Sequence, residues 1–161
     1  MKRLVIGTLL AILLLFVSAC SENHTFRVTH WGMSVEEVRQ TESLELTDAN
    51  EVSPQTLIYA YPTTGSGESE VMYIFPDEFN QTLNAAAYWY RLEPLEERTI
   101  LLQNLRMDLS ESYGPPHSFE NSHFKGYTWE DEQTVLRLYD DIGAGAVVEL
   151  YYSKDYLEFM L

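Results

Sequence analysis

Four histidines, two acidic clusters and one serine–lysine pair are the residues of this chain whose types could support chemistry at a site. His24 and His30 lie six positions apart, as do His117 and His123. That spacing does not stack two side chains on one helix face, and along a strand it separates them by about 20 Å. No recognised zinc-ligand spacing is present, so the histidines read as exposed loop residues and no metal site is expected. Glu130-Asp-Glu132 and Asp140-Asp141 offer hard oxygen ligands for a cation. They lack the glycine and terminal glutamate of a calcium-binding loop and read as solvated turn carboxylates. Ser122-His-Phe-Lys125 has the spacing at which a lysine could take the proton of a serine nucleophile. The accompanying Ser-Asp-Asn-like and Lys-Thr-Gly-like elements are missing, and the match falls in a loop. Neither a nucleophile elbow, a His-Glu-x-x-His helix nor a phosphate-binding glycine loop occurs. The chemistry therefore points away from an enzyme, and no cofactor is expected.

The aromatic residues point toward binding instead. Tyr59, Tyr61, Tyr73, Tyr88, Trp89, Tyr90, Tyr151 and Tyr152 all fall on strand-like runs. Neighbours in a strand project to opposite sheet faces, and helices covering one face would leave some of these rings on the other. Exposed aromatics of that kind mark binding surfaces; the alternative is that polar-tipped rings line a half-wet sheet. These eight residues form the candidate binding surface.

The elements that must position them follow from pattern. Ser34-Val-Glu-Glu37 is a capping box, predicting a short helix over 35–42 that buries Val35 and Val38, with Trp31 and Met33 beneath its start. Strands are expected at 55–61 and 70–75, ending at Pro62 and Pro76, and across the aromatic run 83–92. Leu101, Leu102, Leu105, Leu109 and Tyr113 recur at helical spacing, so a longer helix spans 96–113. Gly114 stands at its left-handed C-cap and Pro115-Pro116 forbids continuation. Strands at 126–130, 134–139 and 146–152 complete the chain, with Asp140–Gly145 as the last hairpin and Leu136, Leu138, Val148 and Leu150 as the buried stripe. The fold class read from this order is α+β. It is an antiparallel sheet with helices on one face, built from two helix–strand–strand–strand half-units at about 31–92 and 95–152.

The N-terminus carries a different signal. Lys2 and Arg3 precede an apolar stretch from Leu4 to Val17, 14 residues long, or about 21 Å as a helix. A bilayer core needs roughly 20 residues, so the stretch reads as a secretory signal rather than a permanent anchor. Its end, Val17-Ser-Ala-Cys20, resembles the lipobox of bacterial lipoproteins. The resemblance implies cleavage after residue 19 and lipid, including palmitate, on Cys20, which is the chain's one cysteine and has no disulfide partner. The expected organisation is a signal peptide at 1–19, a lipidated tether at 20–26 and a single α+β domain at 27–161. Ser21 rather than Asp after the lipidated cysteine resembles the outer-membrane sorting rule. In a two-membrane cell the protein would face the periplasm from the outer membrane; otherwise it would sit on the outer face of the cytoplasmic membrane.

Charge narrows the partners. Ten Lys and Arg against 25 Asp and Glu give a net charge of −15, and −17 once Lys2 and Arg3 are removed. Such a surface repels nucleic-acid phosphates, so no nucleic-acid partner is expected. Charge of this size serves solubility; it would also favour a basic partner or a cation.

Trp31-Gly-Met-Ser-Val-Glu-Glu-Val38 and Tyr113-Gly-Pro-Pro116 resemble the motifs of a group of uncharacterised bacterial envelope proteins. The doubled helix-and-strands order is similar, in topology alone, to β-lactamase inhibitor protein. Single units of that shape resemble small outer-membrane assembly lipoproteins of the SmpA/OmlA type. Fold does not dictate function. Taken together, these features imply a non-enzymatic, membrane-anchored lipoprotein that binds or assists another envelope protein. The alternatives are an envelope module for a small ligand (glycan, peptide or cation) and an inhibitor of a secreted enzyme.

Overall fold

The computed structural model describes residues 26–50, 55–62, 67–120 and 124–161. The signal segment, Cys20, His24, Ser122 and His123 lie outside the described residues. Capping residues set the first helix: α1 (Val35–Thr41) starts at Ser34, whose side chain accepts from the Glu37 amide while Glu37 reaches back to the Ser34 amide. Four strands follow, β1 (Leu46–Asn50), β2 (Gln55–Tyr61), β3 (Glu68–Phe75) and β4 (Ala85–Arg91). The long helix α2 (Leu95–Tyr113) leads to four more, β5 (His117–Glu120), β6 (Phe124–Glu130), β7 (Thr134–Asp141) and β8 (Ala146–Ser153). A short helix, α3 (Lys154–Met160), closes the described chain.

All eight strands form one antiparallel sheet in the order β1-β2-β3-β4-β8-β7-β6-β5. Each half is a meander running inward from an edge to the centre, and the two halves join where β4 pairs with β8. The expected α+β fold with an antiparallel sheet is the one observed. Each half-unit nevertheless has four strands rather than three, because β1 and β5 add an edge strand at either end.

One face carries the core. Leu57 and Tyr59 of β2, Val71, Tyr73 and Phe75 of β3, Ala86 of β4, Val147 and Tyr151 of β8, and Leu136 and Leu138 of β7 are buried together with Val38 of α1 and Leu109 of α2. Leu101, Leu102 and Leu105 of α2 pack against the same cluster. Gly114 ends α2 at φ 82° and ψ −168°, a positive-φ conformation that favours glycine but lies outside the left-handed helical well. Its carbonyl accepts from the Trp129 indole at 3.0 Å, tying the helix end to β6.

The buried stripe is corrected in β8. Leu138 stands opposite Glu149, and Leu136 opposite Tyr151, so the inward residues are Val147, Glu149 and Tyr151. Val148, buried as expected at 1% exposure, and half-buried Leu150 point to the other face. No helix among the described residues is long and apolar enough to cross a membrane.

Candidate functional site

The candidate aromatic residues divide between the two faces because β-strand side chains alternate. Tyr59, Tyr73 and Tyr151 are 3%, 0% and 7% exposed; they are core residues, not parts of a surface. Tyr61, Tyr88 and Tyr90 lie on the same side, half-buried and packed on one another. The Tyr61 and Tyr88 ring centroids are 5.0 Å apart and the stacked Tyr88 and Tyr90 rings 5.9 Å apart. Trp89 and Tyr152 belong to the opposite face.

Several polar groups within the core side are committed to the fold, while the buried Tyr59 hydroxyl has no hydrogen-bond partner among the described residues. Glu42, 7% exposed, accepts from Arg27 Nε at 2.9 Å and Nη2 at 3.2 Å, from the Ser43 and Leu44 amides, and from the Tyr73 hydroxyl. Burial alone would raise this carboxyl's pKa; the bonds from Arg27 and Tyr73 overcome it and hold the pKa below its ordinary value. Arg98 reaches Asp140 at 3.0 Å and the Leu92 carbonyl at 3.4 Å, so one half of the Asp140-Asp141 cluster anchors α2. Asp141 accepts from the Ala144 amide, and Asp131 from the Gln133 and Thr134 amides. These acidic residues shape turns. His30 and His117 are exposed, and no group of three potential metal ligands occurs among the described residues. Lys125 lies 3.6 Å from Glu120, with both side chains largely exposed.

The face without the core presents rows of side chains fixed by register. One row runs Thr128–Arg137–Leu150–Ala87–Met72–Ile58 across β6, β7, β8, β4, β3 and β2. The next runs Phe119–Gly126–Tyr139–Val148–Trp89–Glu70. Gly126 carries no side chain between Phe119 and Tyr139, and their ring centroids approach to 6.4 Å; Phe124 comes to 5.0 Å from Tyr139. A groove of about 430 Å³ opens here, lined by Phe119, Phe124, Arg137, Tyr139, Leu150 and Tyr152 among others.

Arg137 is the cation in this groove. Its guanidinium carbon lies 6.0 Å from the Phe119 ring centroid and 5.7 Å from that of Tyr152, geometry suited to cation–π attraction. No carboxylate within ion-pair distance of it is found among the described residues. Burial pushes the Tyr139 hydroxyl pKa up to about 12 and raises that of Tyr152, so both rings stay neutral donors at physiological pH. The Trp89 indole N–H, farther along the same face, is buried without a hydrogen-bond acceptor among the described residues. The chain matches no family model, no curated protein and no solved structure.

Trp89 and Tyr152 were legible in the sequence; Tyr139 also falls on a strand-like run but stood outside the eight candidates, and Arg137, Phe119 and Phe124 were not among them. The signal available for two of them was alternation in Val135-Leu-Arg-Leu-Tyr139, which puts Arg137 and Tyr139 on the face opposite Leu136 and Leu138. Phe119 was out of reach while β5 went unread.

Proposed function

We propose that the chain is a lipid-anchored bacterial envelope protein without catalytic activity that holds another envelope protein against the open face of its sheet. The observation that carries this reading is Arg137, a cation with no carboxylate partner among the described residues, whose guanidinium lies close to the Phe119 and Tyr152 rings in a groove lined by strand residues. Aromatic residues and arginine are the types that dominate protein-binding hot spots. The lipobox-like Val17-Ser-Ala-Cys20 supports attachment to the membrane through Cys20. The short stretch between Cys20 and the first described residue would keep the folded part close to the bilayer surface.

The test is capture from native membranes with a crosslinker, comparing the wild type with C20A. The wild type should fractionate with membranes and yield a defined crosslinked envelope protein, while C20A should be released to the soluble fraction. Membrane retention of C20A would rule out lipid anchoring. Absence of any crosslinked species would contradict the binding role.

A second reading, an envelope module for a small ligand, draws on the groove volume of about 430 Å³, which lies within the ordinary range for ligand pockets. It predicts saturable thermal stabilisation of the purified protein by a small molecule in the absence of any protein partner.

A further inference from the structure

We infer that the Arg137 groove receives a single carboxylate carried on an apolar segment of the partner polypeptide, an assignment that rests on the docking role proposed above. The other cations fix the contrast. Arg27, Arg91, Arg98, Lys125 and Lys154 each lie within 4.0 Å of a carboxylate, namely Glu42, Glu70, Asp140, Glu120 and Glu130. Arg39 and Arg106 also have no carboxylate partner among the described residues, and Arg106 lies 5.3 Å from the Tyr127 ring centroid, but both are exposed. Arg137 differs from them in being half-buried in a groove. Its guanidinium carbon lies near the Phe119 and Tyr152 rings, and a guanidinium's N–H edge matches a carboxylate. No hydrogen bond from that edge is found among the described residues.

Packing beside two rings restricts the arginine side chain, so part of the ordering a bidentate carboxylate demands is already in place. Apolar walls strengthen charge-assisted hydrogen bonds formed inside them. They also require an apolar body beside the acid, since Phe119, Phe124, Leu150 and Tyr152 offer such a body its contact area. Net charge sets the number of acids. A protein at −15 repels an acidic run at long range, and Glu120 at the groove margin disfavours a second carboxylate locally. One carboxylate on an apolar carrier is the chemistry that fits.

The experiment titrates the full-length protein in detergent with three probes: N-acetyl-Gly-Gly-Phe with a free carboxylate, the same peptide as its C-terminal amide, and 3-phenylpropanoate. The free-acid peptide should bind and the amide should bind about tenfold more weakly or worse, as expected for losing a charge-assisted pair. R137Q should reproduce that loss for the acid without affecting the amide, and R137K should recover only part of it. Because the acid–amide comparison uses the unaltered protein, a folding defect in R137Q cannot mimic the result. Equal affinity for acid and amide would overturn the carboxylate assignment. Binding of 3-phenylpropanoate as tight as that of the acid peptide would overturn the polypeptide source in favour of a free acid. If membrane crosslinking to an envelope protein persists unchanged in R137Q, the docking role stands and the carboxylate assignment falls. If crosslinking is absent while the acid peptide binds, it is the docking role that falls.

Discussion

Leu138 on β7 and Glu149 on β8 stand opposite each other in the ladder, on the face that carries the core. A carboxyl group therefore occupies an inward position at the centre of the sheet, with Tyr88 of β4 on its other flank. Glu149 is 5% exposed, and the one hydrogen bond to its carboxyl among the described residues comes from the Tyr151 hydroxyl. Burial raises its pKa to about 7; the Tyr151 bond works against the rise, and the charge of Asp108 on α2 adds to it. No cation among the described residues offsets it.

Stability should consequently fall as pH rises. The folded-state pKa lies above the ordinary 4.5, so the native state keeps this proton while the unfolded chain releases it. The contribution is fully present below about pH 4.5, declines across the window up to about pH 7 and is lost above it. The difference corresponds to roughly 3 kcal/mol. E149Q, which cannot ionise, should flatten denaturant-melt stability between pH 5 and 8 and be the more stable protein at pH 8. A wild-type profile that stays level through that window would contradict the assignment.

Arg27 and Glu42 behave as a buried pair that pins the segment before α1 to β3. The Glu42 side chain is 0% exposed and that of Arg27 17%. Removing one member leaves the other charge uncompensated, which costs about 3–5 kcal/mol. E42A and R27A should each lower the denaturation midpoint, and the double variant should cost much less than the sum of the singles. Additive losses in that cycle would show that the two act independently.

Gly126 is fixed by the approach of β7. A Cβ at that position would lie 2.1 Å from the Leu138 carbonyl oxygen and 2.7 Å from the Tyr139 Cβ. G126A should therefore destabilise by about 1–3 kcal/mol, the usual range for forced overpacking, and should shift the Tyr139 and Phe119 ring resonances in NMR spectra. Unchanged stability and unchanged ring shifts would mean that β6 and β7 do not hold this spacing.

Ser34 gives a smaller, local test. Its side chain accepts from the Glu37 amide at 3.3 Å, and S34A should cost about 1 kcal/mol as a lost N-cap. Thr at the same position should restore most of it, measured by thermal melts at one pH.

The sequence made α1, α2, β2, β3, β4 and the outline of β6 to β8 legible because local signals agreed there. The Ser34 capping box, the leucine spacing of α2, and the prolines after Tyr61 and Phe75 each have a direct structural counterpart. The edge strand β1 was not legible: Leu-Thr-Asp-Ala-Asn has little strand propensity and acquires its form by pairing with β2. Four-residue β5 is short for the same purpose, and α3 begins directly at the end of β8 on the Ser153 cap. The phase of β8 was ambiguous because Val147 and Val148 are both apolar, and a charged Glu149 reads as solvent-facing. The error in phase moved Tyr151 to the wrong face and hid the buried carboxylate. For the groove, the aromatic types were visible, but which of them share a face depends on register across four strands, information that no local window holds.

The most direct test of the docking face is site-specific photo-crosslinking in native membranes. A photoreactive residue at Leu150, in the groove on the open face, is compared with one at Met107, exposed on α2 on the covered side. Docking on the open face requires that the Leu150 position capture a defined envelope protein and that the Met107 position not do so. Capture from Met107 with none from Leu150 would contradict it.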